Sequence, residues 1–175
     1  MNVLIGIIMG SDSDLAIMAE AAKVCEEFGV GFEIMVCSAH RSPALSHEYA
    51  TTAIKRGLKV IIAGAGGSAH LAGVTAALTT LPVIGVPINP APYGAGLGGQ
   101  DALFSTVQMP PGIPVATVGI DSARNAGLLA IQILSTANPQ LVRKLINFKK
   151  SLADGVAKKA DKLKKLGYAK YLKTN

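Results

Sequence analysis

The sequence predicts a three-layer α/β/α domain: a doubly wound, flavodoxin-like parallel sheet of about five strands, covered by helices on both faces. Three observations carry that reading. Five short apolar runs, at residues 3–9, 32–37, 60–63, 83–86 and 115–118, are separated mostly by segments of helical periodicity. Half of the 175 residues are hydrophobic but only 5% are aromatic and none is Trp, so Ala, Val, Ile and Leu fill the core, as in sheets buried on both faces. The first three runs end in small, polar or hydroxylic residues just before a helix begins, and right-handed crossovers then follow almost by rule.

The first strand, 3–9, closes on Met9-Gly10-Ser11-Asp12-Ser13-Asp14. The helix after it, 15–28, sets Ile17, Ala21, Val24, Cys25 and Phe28 on one face, Glu20, Lys23 and Glu27 on the other, and Gly29 ends it. The run 32–37 reads as a buried strand and leads into Ser38-Ala39-His40-Arg41; Pro43 suits the first turn of a helix over 43–56. The third strand, 60–63, ends in Gly64-Ala65-Gly66-Gly67-Ser68-Ala69-His70, with a helix over 68–78. The fourth, 83–86, is followed by a long loop at 89–99, rich in Pro, Gly and Ala, which either covers a site or packs at a subunit contact. The fifth, 115–118, precedes a helix over 122–135. From Pro139, Leu141, Leu145, Phe148, Leu152 and Val156 recur at helical spacing with Lys opposite. The organisation expected is one catalytic domain, 1–138, and an amphipathic basic helix, 139–175, packing on that domain or on a neighbouring subunit.

A mean hydropathy of +0.40 is high for a monomer of this size and predicts a homo-oligomer. The apolar N-terminus lacks a basic leader and meets Asp12 and Asp14 at once, so it reads as a strand, not a signal peptide. No run approaches the about 18 apolar residues of a membrane span, and two cysteines are too few for a disulfide framework, which favours a reducing cytoplasm. The net charge of +6 is unevenly spread: residues 140–175 carry eleven Lys or Arg against two Asp, while 1–139 are slightly acidic. Regular apolar spacing and few aromatics make that tail a solvated amphipathic helix in preference to a nucleic-acid arm.

Ligands of α/β sheets bind in the crevice beyond the carboxyl ends of the strands. There the sequence places His40, one of only three histidines, beside Arg41. An imidazole suits general acid–base work, a guanidinium suits a phosphate. Ser11 and Ser13 with free helix N–H groups make a phosphate site, although one such residue is needed merely as a cap. Asp14 is a poor phosphate ligand and a good acceptor for sugar hydroxyls. The run from Gly64 formally matches a dinucleotide fingerprint, GxGxxA. That motif needs an acid about 20 residues on, and no Asp or Glu occurs between Glu48 and Asp101. The glycines read better as room for a flat ligand. Alternation along the strand buries Cys37, which argues against a thiolate dyad with His40. His47 and Glu48 lack further zinc ligands and read as helix surface.

In order along the chain, MGSDSD, SAHR, AGAGGSAHLAG, PVIGVP and STVQMPPGIPVATVGI closely resemble the class I N5-carboxyaminoimidazole ribonucleotide mutases of purine biosynthesis, over about residues 3–134. The resemblance implies transfer of a carboxylate from the exocyclic nitrogen of an aminoimidazole ribonucleotide to the adjacent ring carbon, without metal or organic cofactor. It implies His40 as the proton donor and acceptor, Ser11, Ser13 and Arg41 on the phosphate, and Asp14 on the ribose. Ser38 with Gly64, Ala65, Gly66, Gly67, Ser68 and Leu71 would line the ring and carboxylate, with His70 nearby. It also implies an octamer whose C-terminal helices reach neighbouring subunits. Two other readings stand beside it: a related carboxylase that joins CO2 directly to aminoimidazole ribonucleotide, and a non-catalytic nucleotide-binding or receiver module on the same fold. A receiver needs an Asp closing the third strand, where Gly64-Ala65-Gly66 stands.

Overall fold

β1 (Val3–Met9) lies within the sheet, flanked by β2 (Gly31–Val36) and β3 (Val60–Gly66). β4 (Val83–Ile88) and β5 (Ala116–Thr117) continue beyond β3, giving the order β2-β1-β3-β4-β5 with parallel pairing throughout. The computed structural model describes residues 2–89 and 97–174. The chain winds from β1 to β2 through α1 (Leu15–Phe28), then returns through α2 (Pro43–Thr52) to β3 on the other side of β1. α3 (Leu71–Leu78) and α4 (Gln100–Val107) lead on to β4 and β5, and α5 (Ala123–Ser135) follows. Winding therefore reverses between β1 and β3, which defines the switch point of a flavodoxin-like sheet.

The middle of the sheet is buried because β1, β3 and β4 are apolar on both faces. Ile5, Ile7, Ile8 and Met9 of β1 and Val60, Ile61 and Ile62 of β3 have no exposed surface; each large aliphatic side chain so buried contributes about 1.5–3 kcal/mol. On one face α1 and α5 meet so closely that a side chain at Gly127 would strike Val24 and the Ala21 backbone. On the other, Tyr49, Ala53, Leu71 and Ala72 pack over Ile8, Ile61 and Ala63.

Several elements differ from expectation. β2 is a sheet edge, not a buried strand; Ile34 and Val36 are 40% and 45% exposed. β3 runs three residues further than expected, to Gly66, because Ala65 and Gly66 still pair with Pro87 and Ile88 of β4. α3 accordingly starts at Leu71 instead of 68, and α2 stops at Thr52 instead of 56. β5 keeps only two residues, Ala116 and Thr117, of the run expected to be a strand. α4 was not anticipated at all. Of the loop expected at 89–99, residues 90–96 lie outside the described residues.

Residues 135–175 form a separate compact unit. α6 (Pro139–Leu166) starts at Asn138, whose side chain accepts from the backbone N–H groups of Gln140 and Leu141 at 3.0 and 3.4 Å, with Pro139 in the first turn. Lys164 and Lys165 complement the dipole in its last turn. Gly167 ends it, and α7 (Tyr168–Tyr171) adds one turn, with Lys162 of α6 lying 5.3 Å from the Tyr171 ring centre.

Gly6 shows how tightly this sheet face is filled, since a methyl there would meet Tyr49 Oη and lie 3.0 Å from Leu58. Gly6→Ala is expected to lower stability by about 1–3 kcal/mol in denaturant titration. Adding Tyr49→Phe should return part of that loss, and an unchanged midpoint for Gly6→Ala would contradict this packing.

Candidate active site

Met9 is level with Val36 of β2 on one side and with Gly64 of β3 on the other. The turns after these three strands therefore leave the sheet side by side, and together they enclose a cavity of about 280 Å³. It is lined from the first turn by Gly10, Ser11, Ser13 and Asp14, from the second by Ser38, Ala39, His40 and Arg41, and from the third by Ala65, Gly66, Ser68, His70 and Leu71.

The first turn is a short 3-10 segment, Asp12–Asp14, closed by a reciprocal cap. Ser11 Oγ accepts from the Ser13 N–H at 3.4 Å, and the Asp14 carboxylate accepts from the Ser11 N–H at 3.1 Å. Capping and lining are thus done by the same residues. Asp14 is buried, and burial pushes its carboxyl up from the ordinary value of 3.8; the Ser11 N–H, the Ser13 hydroxyl and the Arg41 charge pull it part of the way back.

The second turn is tied to the first at both ends. The Cys37 N–H donates to Met9 O at 2.8 Å, and Arg41 Nη2 donates to Gly10 O at 2.6 Å. The Arg41 N–H donates to Ser38 Oγ at 3.2 Å. The guanidinium is thereby braced on one edge against the end of β1, leaving its other N–H groups available for an anion. His40 is exposed at the rim, where its Nε2 lies 2.9 Å from His70 Nδ1, with the two rings perpendicular at 89°. One ring donates and the other accepts, so a single N–H bridges the second and third turns.

In the third turn, Ala65 and Gly66 still belong to β3, so the wall beneath the histidines is strand backbone. Two of the expected glycines do not line the cavity. Gly64 is a packing residue: a side chain there would collide with Met18 of α1 and come within 3.0 Å of Ile88. Gly67, at φ +60°, makes the turn that lets the chain leave β3, a conformation other residues rarely adopt. Conversely, Gly10 and Ala39 line the cavity without having been singled out. Gly10 acts through its carbonyl on Arg41, which residue type does not signal; Ala39 lies between two chosen residues and carries only a methyl.

Cys37 is fully buried, and desolvation pushes its thiol up against a smaller opposing contribution from the Ser46 hydroxyl, so it offers no thiolate to His40. His47 and Glu48 are exposed on α2. Among the described residues no three His, Cys, Asp or Glu side chains are grouped to hold a metal ion. A second, wider cleft of about 450 Å³ lies between β2 and α2. There Arg56 is already engaged, bonded to Glu33 at 3.0 Å and stacked over Tyr49.

The profile of the AIR carboxylase family matches residues 4–155. The chain is 55% identical over 169 residues to the N5-carboxyaminoimidazole ribonucleotide mutase of Pyrococcus horikoshii, covering 97% of this chain and 93% of that protein. It is 51% identical to the phosphoribosylaminoimidazole carboxylase of Candida glabrata, covering 98% of this chain but 29% of that longer protein. Among solved structures it resembles the crystal structure of Treponema denticola PurE, with a TM-score of 0.77, 29% identity, and coverage of 92% of this chain and 98% of that one.

Because the folded-state pKa of Asp14 is raised, its ionised form costs stability at neutral pH, and that cost is absent below the ordinary value of 3.8. Asp14→Asn should therefore raise Tm at pH 7, with the gain shrinking as pH falls towards 3.8. A constant offset across that range, or a loss at pH 7, would refute the role of burial.

Proposed function

The chain belongs to the AIR carboxylase family, and from that premise we propose that it is an isomerase, an N5-carboxyaminoimidazole ribonucleotide mutase acting in de novo IMP biosynthesis. The observation that carries this reading is the gathering of His40, Arg41 and the Ser11–Asp14 turn around one cavity at the switch point. In this reading the ribonucleotide phosphate meets Ser11, Ser13 and Arg41, and the ribose hydroxyls meet the Asp14 carboxylate. The imidazole ring and its carboxylate lie against Ser38 and the β3 end from Ala65 to Ser68, beside His70 and Leu71.

The reaction then needs one acid–base group. Protonated His40 gives its proton to the exocyclic nitrogen as the N–CO2 bond breaks; the bonding pair stays on nitrogen, and CO2 is set free in the pocket. The released amine pushes electron density into the ring, and the ring carbon attacks CO2 to form the new C–C bond. His40 takes the proton from that carbon, restoring the aromatic ring and its own starting state. CO2 must be recaptured faster than it escapes, so holding it beside the ring is the main catalytic effect. His40→Asn should lower kcat by about 10²–10⁴-fold, the range for loss of a general acid–base, while ribonucleotide affinity stays within a few fold by calorimetry. Loss of binding with turnover per bound substrate unchanged would remove His40 from the chemistry.

The proposed assembly is a homo-octamer in the cytoplasm, without nucleic-acid or membrane partners. It is supported by the mean hydropathy and by Val142, Ile146, Leu152, Val156 and Leu163, exposed along α6. No helix among the described residues is long and apolar enough to cross a membrane. Light scattering on the full chain should give an octamer, and Ile146→Glu should shift the mass downward; a monomer would refute the assembly.

The function itself is tested by following the carbon-carboxylated product by absorbance from two substrates. Product from N5-carboxyaminoimidazole ribonucleotide without added bicarbonate is the expected result. Product only from aminoimidazole ribonucleotide with bicarbonate would assign the carboxylase activity named for the Candida glabrata relative.

A further inference from the structure

Ser42 stands where a helix cap belongs, yet it does not cap. It is the residue before α2, outside the helix at φ −138° and ψ 59°, and it makes no side-chain capping bond to the helix. Serine there normally accepts from the second or third N–H of the helix, an interaction that stabilises the helix start. Elsewhere the chain does use that bond: Ser11 caps the 3-10 turn after β1, and Asn138 caps α6.

The hydroxyl is instead turned backwards along the loop. Ser42 Oγ accepts from the Ser38 N–H at 3.0 Å and donates to Ser38 O at 3.1 Å. A hydroxyl has one proton to give and lone pairs to receive, so it satisfies both backbone groups of one residue at once. The Ser42 N–H adds a third bond to Ser38 O at 2.9 Å, and inside the ring so formed the Arg41 N–H donates to Ser38 Oγ at 3.2 Å. Ser38-Ala39-His40-Arg41-Ser42 is thus closed end to end, and the two residues carried at its tip are His40 and Arg41. Ser42 itself is not among the residues lining the cavity.

We propose that Ser42 is a positioning residue: its hydroxyl is diverted from the α2 cap to clasp Ser38, and this clasp sets the loop that presents His40 and Arg41 to the cavity. The proposal rests on the mutase reading above for its activity assay, and on geometry alone for its exchange assay. The cap forgone is a local loss of helix stability. What it secures is a single loop conformation before substrate arrives, and small displacements of reacting groups are costly in rate. Without the hydroxyl the loop keeps the Ser42 N–H to Ser38 O and Arg41 N–H to Ser38 Oγ bonds and the tethers of Cys37 N–H to Met9 O and Arg41 to Gly10 O, but the Ser38 N–H loses its acceptor and the start of the loop is held less firmly.

Ser42→Ala removes the hydroxyl without removing any cap bond, whereas Ser42→Thr keeps the hydroxyl. For Ser42→Ala the expected result is a folded protein with Tm within a few degrees of the parent. Its kcat/KM should fall about 10–100-fold on the carboxyamino ribonucleotide, and amide hydrogen exchange at Ser38 should be faster. Ser42→Thr should return both the rate and the protection. Parent-like turnover and exchange in Ser42→Ala would overturn the proposal, as would a loss that Thr does not repair. If the parent chain itself has no mutase or carboxylase turnover, the functional reading fails. The exchange comparison of Ala and Thr variants still decides whether Ser42 sets the loop.

Discussion

The whole site depends on the register of β1. Met9 is paired with Val36 and with Gly64, so β1 and β2 stop at one level, β3 runs two residues further to Gly66, and three turns distant in sequence begin side by side. Short backbone links hold that level: Cys37 N–H to Met9 O at 2.8 Å and Gly10 N–H to Gly64 O at 3.1 Å. A slip of one residue in either neighbour would turn its side chains to the opposite face of the sheet, and Ala63, which packs with Leu71 and Ala72, would be carried out of that core. The apolar core thus enforces the alignment that the polar turns need.

On that alignment the cavity combines groups that burial and hydrogen bonding have already set. Arg41 is braced by a main-chain carbonyl, His40 is bridged to His70, and Asp14 is held by the turn it helps to cap. Some of these arrangements oppose stability. Asp14 is a carboxylate kept in a desolvated place, and the serine before α2 leaves its helix uncapped. Such local losses concentrate at the strand ends, while the interior of β1 and β3 is filled by aliphatic side chains without exposed surface. That division between a core that stabilises and a rim that is strained towards chemistry is common in enzymes.

Much of this was readable in the sequence, for identifiable reasons. The βα alternation and the turns after the first three strands show because small, hydroxylic and ionisable residues interrupt apolar runs there, and these turns, with the end of β3 and the first residue of α3, line the cavity. What escaped reading was set by partners. An apolar run such as Phe32 to Val36 does not reveal whether a second neighbour covers it, so the edge position of β2 came only from the strand order. The extension of β3 through Ala65 and Gly66 is decided by pairing with β4, against the weak strand preference of glycine. α4 follows a glycine-rich stretch that masks its start. Gly10 works through a carbonyl, and Gly64 through a side chain it lacks; neither function is written in residue type.

The most direct test of the account is a crystal structure of the chain with the carbon-carboxylated ribonucleotide bound. Phosphate oxygens are expected within hydrogen-bond distance of Ser11, Ser13 and Arg41, ribose hydroxyls on Asp14, and the carboxylated ring beside His40 over Gly66. A ligand seated in the cleft between β2 and α2, or one bound at the strand ends with its ring turned away from His40, would contradict it.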